Sequence, residues 1–395
     1  MALLAFSDRQ FRLFFIGIFF AVQGIWMQRV TLAWIAWELT DSAGFVGIVA
    51  GLSMAPTLVA GPFFGVLADR MDIRTAAFFT NGAMILTLTL LALLLPFITP
   101  AGVMLAALMI GVISSAHHPV RMSLGPRLVA VDMVQHVVSV TALNFNLARL
   151  VAPAVTGLII AQFGAAISLW VAVAFYIPMI VVLMRLRPRS LPPRAAAPFL
   201  SELREGVRYS AASPLVRQAL LITVVFATIL RGALEVLPVL ADGAFERGAA
   251  GLGLLTGAAG AGALVAAMLK SVGVGAVGAR IPWQVLLAAM VGQVAVVLMG
   301  LAPIWPLALA ATAISGFCAT WCGVSLQAAI QTDLPDAFRG RVMSLWTVVG
   351  FGTVALGALA IGGLAEWIEI GPALVVAGVL GILAQAAIIL GGVKA

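Results

Sequence analysis

The sequence predicts an all-α membrane protein of twelve transmembrane helices arranged as two pseudo-symmetric six-helix bundles. Three observations predict it. Apolar residues make up 63% of the 395 positions and the mean hydropathy is +1.15, far above what a soluble core requires, so the bilayer is the main solvent. Apolar runs long enough to cross a hydrocarbon core, about 20 residues each, recur from Phe11 almost to the C-terminus with no polar domain between them. The segment "SVTALNFNLARLVAPAVTGLI" (139–159) also aligns with "SLWTVVGFGTVALGALAIGGL" (344–364) at an offset of 205 with similar small-residue spacing, so the halves look duplicated. The runs are continuously apolar instead of alternating with period two, which excludes a sheet barrel.

In order, the spans fall at 11–37, 43–68, 75–96, 101–118, 136–162, 165–186, 216–240, 249–271, 282–302, 304–328, 341–365 and 371–393. The first is too long for a signal-peptide core and lacks a small-residue cleavage site, so it is predicted to stay as a span. The second and third are separated by "GVLADRMDIRTA" from Gly65, which places Asp69, Arg70, Asp72 and Arg74 within six positions of a chain that is 9% charged. The longest polar interruption, Arg185 to Gln218, divides six spans from six. This gives a first bundle at 1–186, a cytoplasmic linker at 187–215 and a second bundle at 216–395. The Pro-rich start of the linker resists helix; "FLSELREGVRY" is compatible with a short amphipathic helix, and a solvated connector is the simpler reading. Cys318 and Cys322 lie four apart in span ten, one helix face but not disulfide geometry, and read as small packing residues.

Lys and Arg stay preferentially on the cytoplasmic side. With the N-terminus inside, 18 of the 22 are cytoplasmic, Arg121 and Arg127 among them; Arg247 falls in an outer loop, and Arg29, Arg149 and Arg231 lie within spans. Both termini are therefore expected in the cytoplasm. The net charge of +7 follows from loops facing anionic inner lipid and needs no nucleic acid. Parallel six-helix repeats around a midplane site are a transporter architecture, in which two halves rock about a fixed site.

Charges inside spans are costly and therefore informative. Arg29 sits in span one, Arg149 in span five, and Arg231 with Glu235 in span seven. Arg231 and Glu235, four apart, share a helix face and could neutralise each other for insertion. Alternatively, aligning "FAVQGIWMQRV" (20–30) with "FATILRGALEV" (226–236) superposes Arg29 on Glu235, so that opposite charges occupy equivalent places in the two halves. Arg149 reads as a cavity-facing anchor for an anionic or oxygen-rich substrate or for a neighbouring carbonyl. Trp26, Trp321 and Trp346 are candidates for an aromatic cavity, with packing or interface anchoring as the default. His117, His118, Asp132 and His136 sit at the inner ends of spans four and five, where polar residues emerge into water. Adjacent histidines point to different helix faces, so no metal site is expected. No P-loop pattern occurs, which argues against a nucleotide-driven pump.

The string G-x-x-x-D-R at the turn between spans two and three resembles the signature loop of the major facilitator superfamily. The resemblance implies an inner-gate role for Gly65, Asp69, Arg70 and Arg74, with Gly65 admitting close helix approach and Asp69 meeting the N-terminal end of helix eleven near Gly340 to Ser344. Asp72 stands where the superfamily usually has Gly, and Ile73 replaces a usual basic residue. The second half carries only a worn copy, "GALVAAMLKSVGVGAVGAR", with Lys270 at the charged place. "QRVTLAWIAWELTDSA", "NFNLARLVAPAVTG" and "QTDLPDAFRGRVMSL" resemble the branch containing siderophore and macrolide exporters, and the likeness runs through nearly the whole chain. Pro153 and Gly157 match part of a Pro-Gly element associated with exporters, although Ala152 replaces the usual Gly; a bend with close packing explains them equally.

These readings imply a secondary active transporter, not an enzyme: a proton-coupled exporter of a small amphipathic organic molecule such as a siderophore, macrolide or other drug, working by alternating access. It would sit in the bacterial cytoplasmic (inner) membrane as a multi-pass monomer, with the proton gradient as energy source and no cofactor. A lysophospholipid or other lipid flippase is the alternative, since an apolar cavity with few charges suits both. A membrane-embedded enzyme would need a convergent catalytic set, and a signalling or scaffold protein would more naturally carry a soluble domain.

Overall fold

A computed structural model of the chain describes residues 6–189, 199–275 and 281–392, with side chains described outside 59–70, 199–203, 333, 336–337, 339–340 and 392. Helices α1 (Arg9–Thr40), α2 (Ala43–Arg70), α3 (Ile73–Leu94) and α4 (Pro100–Leu124) open the first half. Each begins where local chemistry dictates. Asp8 caps α1 by accepting from the Gln10 and Phe11 amides, Asp72 caps α3 through Thr75, and Thr99 caps α4 with Pro100 at its first position. Asp72 thus serves as a helix cap.

Val134–Leu183 runs as one helix interrupted at Gly164, whose φ of 83° and ψ of 168° suit glycine alone. Its arms, α5 (134–163) and α6 (165–183), run in opposite directions. Along α1, Gly17 meets Met179, Gly24 meets Tyr176, and Thr31 shares a 2.7 Å hydrogen bond with Ser168, so α6 descends as α1 rises. Asn144 bonds the Ile18 carbonyl and Phe145 packs on Trp26, so α5 rises with α1.

Helix α7 (Phe199–Ala212) lies in the predicted linker, and it is docked, not free in solvent: Tyr209 stacks on Phe338 at 4.6 Å and Glu205 pairs with Arg341 at 2.5 Å. The second half follows as α8 (Pro214–Phe226), α9 (Gly248–Ser271), α10 (Trp283–Leu301), α11 (Trp305–Asp333), α12 (Asp336–Ile368) and α13 (Ile370–Gly392). Among the described residues ten helices are long and apolar enough to cross a membrane; one, Val131–Leu183, holds both α5 and α6, and α2 adds the apolar stretch Ala43–Leu58. Each of the twelve predicted spans therefore overlaps an apolar helical segment. Leu86, Leu90 and Leu93 of α3 are among many exposed apolar side chains that face acyl chains.

The duplication is legible in the packing. A methyl group on Gly253 would stand 2.7 Å from the Pro153 carbonyl oxygen, and one on Gly47, 206 positions earlier, 2.5 Å from that of Ala358, 205 positions after Pro153. Gly157 packs on Ala249 and Gly253, as Gly362 packs on Ala43 and Gly47. The α5–α9 and α2–α12 seams are thus copies of one small-residue interface related by a pseudo-two-fold axis, with backbones close enough for dispersion and Cα–H contacts to hold helices in lipid.

Two expectations are corrected. The fourth span continues to Leu124 instead of ending at 118, so His117 and Arg121, expected in water at the inner face, are buried. The seventh span is not a regular helix. Beyond Phe226 it passes through a π-turn at Ala227–Arg231, breaks at 234–236 and resumes as a π-turn at Val239–Ala244. Pro238 has no N–H for the Leu234 carbonyl, and three-residue bonds from Glu235 to Gly232 and from Val239 to Val236 replace the regular ladder.

Candidate functional site

A cavity of about 810 Å³ lies between the halves, lined by residues of α1, α2, α4, α5, the α8 segment, α9, α11 and α12. At the end where α1 terminates the halves meet. Arg29 Nη2 donates to Glu235 Oε1 across the axis. Farther along, Trp37 Nε1 donates to Asp242 Oδ2 at 2.9 Å, and Glu366 Oε2 accepts from Ser42 Oγ and the Gly44 amide, both at 2.9 Å. The donors come from the first half and the carboxylates from the second. The partners in the two α1 contacts are 206 and 205 residues apart, the repeat offset, as expected where equivalent positions touch at a two-fold axis. From this seal the cavity extends toward the N-terminal side of the bundle, to His118, Arg121 and Ser344.

Trp26 stands in the wall with a guanidinium on either hand, Arg29 at 5.6 Å and Arg149 at 5.7 Å from its ring centroid. Arg149 Nη1 also donates to Thr320 Oγ1 at 3.2 Å, tying α5 to α11 across the cavity. Arg231 lies over the Phe351 ring at 5.9 Å. The neutralising pair expected between Arg231 and Glu235 does not form, because the break at 234–236 removes the four-residue register such a pair needs, and Glu235 instead takes Arg29. The lining as a whole carries four guanidiniums, those of Arg29, Arg121, Arg149 and Arg231, and among the described residues one carboxylate, that of Glu235.

Proline shapes the same wall. Pro119, Pro153 and Pro238 give no N–H to the carbonyls of Ser115, Arg149 and Leu234, and all three of those residues line the cavity. Pro153 and Gly157 also sit in the α5–α9 seam, so the bend and the close packing occur together.

Trp26 alone of the three candidate tryptophans lines the cavity. Trp321 is buried between Phe317, stacked at 5.5 Å, and the Lys270 ammonium 3.8 Å from its ring, and Trp346 is partly buried outside the lining. The side chains of Gly65, Asp69 and Arg70, and those of 339–340, lie outside the described residues. Arg74, at the start of α3, donates to the Leu186 carbonyl at 3.4 Å. His117 stacks edge-on against Tyr176, which donates to Gln28 at 3.1 Å. Among the described residues no three His, Cys, Asp or Glu side chains converge.

Sequence reasoning missed Phe145, Phe351, Thr320 and the burial of Arg121. A signal existed for Thr320: Thr320, Gly323 and Gln327 recur at helical spacing on one face of an apolar helix, which marks a wall facing water. None existed for the aromatics, since phenylalanine is unremarkable in a membrane helix.

Comparison with known proteins agrees with this architecture. The family profile described as transmembrane secretion effector matches residues 1–394. The chain is 28% identical over 357 residues to the enterobactin exporter EntS of Shigella boydii serotype 4 (strain Sb227), covering 90% of this chain and 85% of that one. Its fold resembles a POT family transporter solved with a thioalcohol-conjugated peptide, with a TM-score of 0.75, 14% identity and coverage of 98% and 96%. It also resembles the human organic anion transporter MFSD10 (TETRAN), with a TM-score of 0.69, 14% identity and coverage of 96% and 99%. With two duplicated six-helix halves around one cavity and a profile match across its length, the chain belongs to the transmembrane secretion effector family of major facilitator transporters.

Proposed function

We propose that the protein is a proton-coupled exporter of small amphipathic organic molecules bearing an anionic or oxygen-rich group. One observation carries this reading: a cavity of about 810 Å³ is lined by four arginines and, among the described residues, one carboxylate, with two of the guanidiniums flanking the Trp26 indole. Such a wall attracts negative charge and offers an aromatic face to an apolar body. The relatives named as enterobactin exporters support outward transport. Transport follows from the glycine seams, which part to expose the cavity on the other face while the site stays at the axis. Glu235 is the coupling group: protonated, it releases Arg29 and loosens the axis; ionised, it holds the halves together. The chain works as a monomer in the bacterial inner membrane with both termini in the cytoplasm, the orientation favoured by the bias of Lys and Arg toward one set of loops in the sequence.

Inside-out vesicles containing the protein test this directly. Uptake of siderophores, macrolides, dyes and lysolipids is compared with and without a proton gradient. Gradient-dependent uptake of anionic or oxygen-rich solutes is expected. Gradient-independent movement of lysolipid alone would replace this reading with a lipid flippase.

A further inference from the structure

A second cavity of about 240 Å³ lies between the end of α4 and the start of α5, with Phe14 of α1 in its wall. Its lining is mostly apolar, from Met122, Val137, Val138 and Phe145, and Arg121 is its one arginine. That arginine is unusual. It is only 7% exposed, its Nε is buried with no hydrogen-bond partner, and among the described residues no carboxylate pairs with it; the Phe145 ring, 5.1 Å from its Cζ, is its neighbour. Arginine keeps its charge at any ordinary pH, and a charge largely withdrawn from water with no carboxylate beside it is expensive. A guanidinium kept in that condition beside an apolar pocket is matched to a ligand that brings its own negative charge.

Arg121, His118 and Phe145 line this small cavity and the central one alike, so the two are neighbours across a wall of three side chains. The small cavity lies on the N-terminal side of the bundle, away from the seal at Arg29 and Glu235. We propose that it is a second binding station: a solute's anionic group, a carboxylate or phenolate on an aromatic or apolar body, engages Arg121 first and then passes the Arg121–Phe145 pair to reach Trp26 and Arg149. The station rests on the reading of the central cavity as an organic-anion site. The Phe145 ring trades its place over Arg121 for contact with the solute, so the neck opens when the first site fills.

The test uses the full chain purified in a neutral detergent, with 2-naphthoate as probe and 2-naphthamide and 2-naphthylmethylammonium as its neutral and cationic counterparts, in equilibrium dialysis. Two naphthoates per chain are expected, with the amide and the ammonium each bound at least tenfold more weakly. Arg121→Gln and, independently, Val138→Trp should each leave one. Val138 is 45% exposed, so tryptophan there fills the pocket without disturbing a packed core or Arg121. Arg149→Gln should abolish the other site and spare this one. If Arg121→Gln and Val138→Trp bind as the unaltered chain does while Arg149→Gln loses all binding, the second station is overturned and the central site stands. If the unaltered chain binds the three probes alike or not at all, both readings fall. If phosphatidylglycerol displaces the Arg121-dependent naphthoate, and naphthoate in turn never slows transport, the pocket is a lipid site and the station is likewise overturned.

Discussion

Two guanidiniums share one indole at Trp26, and their distances of 5.6 and 5.7 Å decide how each residue can be probed. Arg149 combines a place over the Trp26 ring with a directed bond to Thr320, a pair of requirements that the planar guanidinium meets better than an ammonium. Arg149→Lys should insert normally and bind substrate on the order of 10- to 100-fold more weakly, since a hydrogen bond to a charged group contributes about 1.5 to 3 kcal/mol. Full affinity in the lysine variant would leave Arg149 only a point-charge role. Glu235 is more readily changed. Its partner Arg29 keeps 41% of its side chain exposed to the cavity, so Glu235→Gln leaves a hydrated charge, not a stranded one. That variant should reach the membrane and catalyse exchange of substrate, yet lose uphill export driven by a proton gradient. Should it still concentrate substrate with the same dependence on pH, coupling resides elsewhere.

Among the elements, the paired seams α5–α9 and α2–α12 are the parts that separate and rejoin in the proposed transport cycle. Glycine is required there because any side chain at Gly253 drives into the Pro153 carbonyl. Gly253→Val overpacks the closed seam by about 1 to 3 kcal/mol, enough to shift a two-state equilibrium about 5- to 150-fold. A cysteine at Ser42, beside Glu366 in the seal, should then label faster from the α1-terminal side, and transport should fall. Gly82→Val, at a glycine with nothing within 4 Å of its would-be side chain, should change neither. Labelling that is equal in the two variants would mean the seam does not control closure. The broken seventh span belongs to this scale too, because Pro238 moves Glu235 off the Arg231 face and onto the axis.

For the whole molecule the relevant quantity is the balance between the two closed ends. The seal at the α1-terminal end is built from three carboxylates of the second half and donors of the first. At the opposite end the signature residues Asp69, Arg70 and Arg74 supply the counterpart in the reading from resemblance. A carboxylate at a helix N-terminus contributes about 0.3 to 2 kcal/mol, so Asp69→Asn should shift the balance roughly 2- to 30-fold toward the state closed at the α1-terminal end. Faster labelling of a cysteine at Ser344, on the N-terminal side of the cavity, together with reduced transport, is the expected result. An unchanged labelling pattern with normal transport would remove Asp69 from the gate.

The sequence by itself determined the twelve apolar lengths, the division into halves, the repeat offset and the pairing of Arg29 with Glu235 as equivalent positions. These are legible because lipid imposes one-dimensional rules: a span has a fixed length, its backbone must satisfy itself as helix, and a duplicated chain keeps its register. The tertiary structure alone decided that Arg231 lies on Phe351, that Trp321 faces Lys270 and not the cavity, and that α4 runs on to bury Arg121 beside Phe145. Hydropathy is summed along the chain and is blind to rotation about a helix axis. Which neighbour a side chain meets depends on that rotation, and a single proline or π-turn resets it for every residue that follows.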